Sequence, residues 1–298
     1  MNIPFQLPST ANSSDIPSWD GHVFILGDLR TPVLEYSENF SGWSDDLTAL
    51  HEEISGDKHP IDIASRNFAI SNINKYLSTT SPVIMEIGCS SGFLIKDLVH
   101  FFPNASIIGA DVVKGPLYKF AKSFPGIPLI RFDLLKCPLP NSCIDILVML
   151  NVLEHIDDDI NALKQAFKLL KPGGYLIIEV PAGPYLYDSY DLQLHHFRRY
   201  SSSELRHKLI DAGFNVEFQS HLGFILYPAF IVVKLLNKWL PSRKTNNIVG
   251  AQASASSGSK LVRWAMNLES NYLFNFRLPF GIRTLALAKK PNSTSLTK

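Results

Sequence analysis

Cysteine is scarce: Cys89, Cys137 and Cys143 are the three in 298 residues, they form no CxxC pair, and their number is odd. That argues against a disulfide framework or a cysteine zinc site and fits a reducing compartment. Each is read as a small packing residue, including Cys89, which stands in a candidate ligand turn. An excess of one charge is also missing. The 28 Lys and Arg balance 27 Asp and Glu to a net +1, so no general attraction to nucleic acid or acidic polymers arises. No basic stripe and no internal repeat is present. The opening MNIPFQLPST has neither a basic region nor an apolar core, so it is not read as a secretory signal, and a cytoplasmic location is expected. The uncharged run His221–Val233 is thirteen residues long, short of the roughly 20 that a membrane span needs.

What is present is enough apolar material, 46% of residues, to bury one core with appendages. Residues 1–58 mix Pro, Ser, Asp and scattered aromatics without a sustained period and read as an irregular N-terminal arm. HPIDIASRNFAISNINKYL (59–77) reads as a helix, with Ile63, Phe68, Ile70 and Ile73 as its apolar positions and Asp62 near its start. Strands are expected at 83–87, 106–110, 128–132, 144–149, 174–180 and 214–219, and helices at 92–102, 115–123, 159–170 and 202–212. Asp157, Asp158 and Asp159 crowd the positive end of the 159–170 helix as caps rather than as a metal site, and Lys171-Pro-Gly-Gly stops it. The division is therefore an arm (1–58), a core (59–220), an apolar insertion (221–280) and a final core strand (281–290). Strands alternating with helices imply an α/β doubly wound sheet.

Residues 83–92 read VIMEIGCSSG and open onto FLIKDLVHFF: strand, turn, helix. The expectation is an adenosine-type ligand on the turn, because Gly88 and Gly92 lack the Cβ that would hold it off and the helix amides face it. G-C-S-S-G also fits a nucleophile elbow with Ser90 as nucleophile, but no HGG-like segment precedes it. A dinucleotide turn would want glycine where Ser90 stands. An ordinary turn of small residues is the plain alternative. The following strands weigh against it, since SIIGAD, PLIRFD and IDILVMLN each end in a polar residue: Asp111, Asp133 and Asn151. Open parallel sheets bind ligands beyond such carboxyl ends, and an acid about twenty residues after the turn suits ribose hydroxyls.

EIGCSSG (86–92), GAD (109–111), FD (132–133), LNVLEHI (150–156) and LLKPGGYLIIEVP (169–181) together resemble the class I S-adenosylmethionine-dependent methyltransferases. The resemblance covers roughly residues 60–220 and a last strand near 281–288. It implies a Rossmann-like sheet, mostly parallel with an antiparallel final strand, and S-adenosyl-L-methionine as cofactor. By the same resemblance Glu86 and the turn Gly88, Cys89, Ser90 to Gly92 hold the methionine part. Asp111 with Val112 meets the ribose, Asp133 with the Leu134 amide meets the adenine, and Asn151 completes the set. Ser90 departs from the family, where glycine is common.

An acceptor hydroxyl must lose its proton, and histidine titrates in the right range. The candidates are His155 and the pair His195 and His196 in LHHFRRYS, with His155 and His196 preferred. Arg198, Arg199 and Tyr200 either hold an acceptor or pair with nearby acids. Some relatives carry Glu-x-x-Glu-His and a distant histidine around a divalent ion. Here Asn151 replaces the first glutamate, leaving Glu154, His155 and His196, so no metal is expected.

The insertion HLGFILYPAFIVVKLLNKWL is either a buried helical hairpin or an interfacial anchor with Lys234, Lys238 and Trp239 at headgroup level, giving peripheral membrane contact through 221–240. TNNIVGAQASASSGSK reads as a linker and LVRWAMNLESNYLF as an amphipathic helix. The function expected is methyl transfer to a small-molecule, lipid or glycan acceptor, on oxygen. The competing class is a cofactor-binding partner protein without turnover. Nucleic acid is not expected as a partner, since basic docking stretches are lacking.

Overall fold

The computed structural model describes residues 2–11, 13–37, 57–77, 79–239 and 259–292, with the backbone alone at 237–239. In chain order the elements are β1 (Ser18–Trp19), β2 (Phe24–Leu26), β3 (Leu29–Thr31), β4 (Val33–Glu35), α1 (Pro60–Tyr76), β5 (Val83–Ile87), α2 (Phe93–Phe101), β6 (Ser106–Asp111), α3 (Lys114–Ser123) and β7 (Leu129–Arg131). There follow β8 (Ile144–Leu150), α4 (Asp159–Leu169), β9 (Leu170–Pro181), α5 (Ser189–Gln193), α6 (Ser202–Asp211), β10 (Asn215–Leu222), α7 (Tyr227–Trp239), α8 (Lys260–Tyr272) and β11 (Arg283–Lys289).

Strands covered on both faces have no solvent side to write in polar residues. VIMEI of β5 is accordingly buried at every position. Its side chains alternate: Met85 and Ile87 pack with Leu163 of α4 and Leu205 of α6, while Ile84 packs with Phe68 of α1 and Ile95 of α2. Eight strands make one sheet in the order β10-β11-β9-β8-β5-β6-β7-β4. Neighbours from β9 through β4 pair parallel, and β11 runs antiparallel to both β9 and β10. The chain leaves β5 toward β6 and β7, then returns to the other side of β5 for β8. The carboxyl ends of β5 and β8 therefore flank the point where strand order reverses, where open α/β sheets place ligands.

Three local expectations need revision. The arm is not irregular throughout. β1, β2 and β3 form an antiparallel meander, and β4 joins the main sheet beside β7, Val33 facing Leu129 in register. Lys171-Pro-Gly-Gly does not form the helix stop; α4 ends at Leu169 and these residues continue as the start of β9. Ile63 of α1 is exposed, and Ile61 takes its place in the core. The insertion supplies α7 and α8, with Pro228 in the first turn of α7, where its missing amide breaks no helical bond. The linker expected at 245–260 lies outside the described residues up to 258, and its last two residues belong to α8, Ser259 capping it and Lys260 beginning it.

Candidate functional site

The turn after β5 is held by backbone. The Gly88 and Cys89 amides donate to Ala110 O at 2.8 and 3.0 Å. Gly88 and Gly92 have φ of +78° and +72°, and Ser90 shares the left-handed region at 46°. A Cβ on Gly88 would lie 2.4 Å from Val152 Cγ2, and one on Gly92 would lie 2.3 Å from the Phe120 ring. The glycines are thus demanded by backbone sign and by packing against protein, a firmer reason than the ligand access expected of them.

Asp111, at the tip of β6, accepts the Ser90 amide on Oδ2 at 2.8 Å and the Val113 amide on Oδ1 at 2.9 Å. It couples the turn to the neighbouring strand. Asp133 accepts the Leu135 amide at 2.9 Å, capping the short 3-10 turn Leu134–Lys136. Glu86 is buried with Oε2 lacking a hydrogen-bond partner among the described residues. Burial first, and the Asp111 charge second, push its carboxyl well above the usual range. Glu86, Gly88, Cys89, Ser90, Asp111, Val112, Asp133, Leu134 and Asn151 all line one cavity of about 1010 Å³. Gly92 does not; it sits behind the turn, against Phe120.

The same cavity takes in His155, His196 and Glu154. Asn151 has φ of 54°, and its Nδ2 donates to Glu179 Oε1 at 2.8 Å, so its amide is turned back toward β9. The 3-10 turn Leu153–His155 follows, and the Phe197 amide donates to Glu154 O at 2.8 Å, joining the HHFRRY segment to it. His155 and His196 meet edge to face with ring centroids 4.7 Å apart. His195, with φ of 52°, is exposed, so of the two adjacent histidines His196 is the one turned inward. Glu154 is fully buried, and neither carboxylate oxygen has a hydrogen-bond partner among the described residues. Burial pushes its carboxyl up to about 8.

Behind His196 stands a charge cluster that sequence reasoning missed. His196 Nδ1 lies 2.9 Å from Asp191 Oδ1, which places the ring proton there and leaves Nε2 with a lone pair. Arg199 Nε donates to the same carboxylate at 2.8 and 2.9 Å. Lys234 of α7 reaches Asp188 at 2.7 Å and Asp191 at 3.2 Å. Burial alone would raise the Asp191 carboxyl, but the bonds from His196 and Arg199 outweigh it and hold it well below the usual range. Burial lowers His196 despite Asp191. Arg199 is thus occupied by Asp191, and Arg198 by Asp157 and Asp159 at 2.9 and 2.8 Å. Of the two readings of these arginines, pairing with nearby acids is the one seen. Tyr200 likewise donates to Asp159 at 2.9 Å.

Glu154, His155 and His196 offer ligand atoms all within 4.8 Å of one another. The donors suit a divalent cation, with an unpartnered buried carboxylate and a histidine backed by Asp191. They number three, because Asn151 faces Glu179.

Residues 85–178 match the family model described as a methyltransferase domain. The Mycolicibacterium smegmatis protein named "Probable S-adenosylmethionine-dependent methyltransferase" is 28% identical over 139 residues, covering 45% of this chain and 52% of that protein. A trans-aconitate 2-methyltransferase of Acidovorax sp. is 25% identical over 121 residues, 41% of this chain and 44% of that one. The chain thus spans about half the length of the relatives it matches. A candidate sarcosine dimethylglycine methyltransferase from Galdieria sulphuraria superposes with a TM-score of 0.58 at 13% identity, covering 83% of this chain and 99% of its own, which shows the fold. Fold, turn and matches together support a class I S-adenosylmethionine-dependent methyltransferase, the methyltransferase domain itself being matched over residues 85–178.

Proposed function

We propose that the chain transfers a methyl group from S-adenosylmethionine to a hydroxyl of a small-molecule, lipid or glycan acceptor lodged against Glu154, His155 and His196, with peripheral membrane contact through the insertion. When bound, the cofactor supplies a methyl on a sulfonium that needs little activation, so the protein's task is alignment and proton removal. Asp111, at the tip of β6 in the cavity, meets the ribose hydroxyls, and Asp133 with the Leu134 amide meets the adenine. Glu86, whose carboxyl burial pushes well above the usual range, is the partner for a ligand ammonium, whose nearby positive charge favours the ionised carboxylate.

The observation that carries the reading is the Asp191–His196 pair, 2.9 Å apart, in the cavity that also holds the cofactor turn. His196 Nε2 would take the proton of the acceptor hydroxyl, and the cofactor, held by Glu86, Asp111, Asp133 and the turn after β5, would supply the methyl group. His196→Gln should lower turnover about 100-fold or more, as for loss of a general base, with cofactor affinity retained. The assay is transfer of label from S-adenosylmethionine to lipid, glycan and small-molecule fractions of a cell extract. Label on nitrogen or carbon refutes the hydroxyl assignment. Cofactor binding without transfer to any fraction favours the inactive-partner reading.

A second reading places a divalent cation on Glu154, His155 and His196 to lower the acceptor's pKa, favoured by the convergence of three donors. Calorimetric titration with Mg2+, Mn2+ and Zn2+ tests it. Binding that Glu154→Gln removes supports the cation, and heat-free titrations with all three reject it.

A further inference from the structure

We infer that the cavity mouth beside α7 and α8 rests on an anionic lipid surface, so that an apolar acceptor enters directly from the bilayer. Phe197, 54% exposed, and Val233, 45% exposed, line the cavity and face solvent at once, so they stand at its mouth. The apolar surface continues from there. On α7, Val232, Leu235 and Leu236 (52%) are exposed beside Val233. On α8, cavity-lining Val262 adjoins the exposed Leu261 (69%), whose helical stripe continues through Trp264 (58%) to Tyr272. Soluble monomers seldom leave so many large apolar side chains in water around one opening.

Charge says what covers them. Among the described side chains of the two helices, the exposed charges are Lys260 and Arg263, both positive. The single acid, Glu269, is buried and accepts the Gly223 and Ile225 amides at 2.7 and 3.2 Å, while Lys234 is turned inward to Asp188. What faces outward is apolar, cationic and aromatic, the combination that suits negatively charged headgroups. Each helix has 13 residues, about 20 Å long against a hydrocarbon core of ~30 Å, and no described helix is long and apolar enough to cross a membrane. The contact is therefore peripheral. Phe230 lines the cavity and lies under the Lys234 ammonium, so it belongs to the inner face.

The inference rests on the methyl-transfer reading for what passes through the mouth, not for the docking itself. The test is co-sedimentation of the full chain with vesicles of phosphatidylcholine, with and without phosphatidylglycerol. Binding to the anionic vesicles should weaken with salt. Leu236→Ser combined with Trp264→Ser should reduce partition at least about tenfold, both side chains losing bilayer burial. Lys260→Gln and Arg263→Gln should each cost about fivefold. Phe101→Ser, an equally exposed aromatic on α2, should bind as the parent does. All these positions are exposed, so thermal melts should not move. The inference is overturned if the parent does not bind anionic vesicles, if the Leu236/Trp264 variant binds equally well, or if that variant dissolves a dimer seen by size exclusion, which assigns the face to a second copy. Cofactor affinity measured on the same samples separates the two readings: its loss sinks methyl transfer and leaves docking untouched.

Discussion

Asp111 does two jobs at once, and its substitution separates them. It accepts the Ser90 and Val113 amides and, in the proposed reading, meets the ribose. Asp111→Ala should weaken cofactor binding by about 1–3 kcal/mol, the range for a hydrogen bond to a charged group, and should also lower the melting temperature of the free protein. Calorimetry on folded variant showing unchanged affinity would remove the assignment. Glu154 gives a pH signature. Its carboxyl, pushed up to about 8 by burial, binds its proton more tightly in the folded than in the unfolded chain. That contribution to stability is whole below the unfolded value and is lost as pH rises through about 8. Glu154→Gln, with no proton to lose, should match the metal-free parent near pH 4.5 and exceed it progressively above. The gain tends to roughly 5 kcal/mol at most, each pH unit between the two values being worth about 1.4 kcal/mol. Melts across pH check this; a constant difference argues against a buried protonated carboxyl. Adjacent residues also show where sequence fell short. Whether His195 or His196 faces inward follows from the left-handed φ at His195, which the sequence HHF does not announce.

Among the elements, the buried strands were legible because a parallel strand covered on both faces must be continuous apolar sequence, as VIMEI and IDILVML are. β4 was not: three residues cannot show a period, and its partner β7 lies far along the chain. The same distance hid Lys234. Read locally it is a lysine in an apolar run, a natural headgroup residue. In the fold it is buried against Asp188 and Asp191, so α7 is pinned inward by the carboxylate that orients His196. Lys234→Met should therefore cost about 3–5 kcal/mol of stability, the penalty for leaving buried charge uncompensated. Lys234→Arg should recover part of it. Chemical denaturation measures both; a loss below 1 kcal/mol in the Met variant would place Lys234 in water and free α7 from the site.

Across the whole molecule, the sheet delivers its polar residues to one edge of the core, and the free protein leaves that edge incompletely satisfied. Glu86 and Glu154 are both buried in one cavity with carboxylate oxygens that have no hydrogen-bond partner among the described residues. Such groups weaken the empty protein and await a ligand. Sequence pattern located this edge, because strand ends follow from local apolar runs. It did not show the deficit, which depends on what fails to reach a side chain in three dimensions. The deficit gives Glu86→Gln a two-sided effect. Burial raises the Glu86 carboxyl, so its contribution to stability is present at low pH and lost as pH rises; the Gln variant without ligand should be more stable than the parent at pH 8. Cofactor at 100 times its dissociation constant should add about 2.7 kcal/mol to the parent. If the carboxylate meets the cofactor's ammonium, the Gln variant at the same cofactor concentration should gain less, because its affinity is lower. Thermal melts with and without S-adenosylmethionine at pH 8 read both signs. A higher melting temperature for the free variant with an undiminished ligand increment would keep Glu86 buried and costly but take it out of cofactor binding.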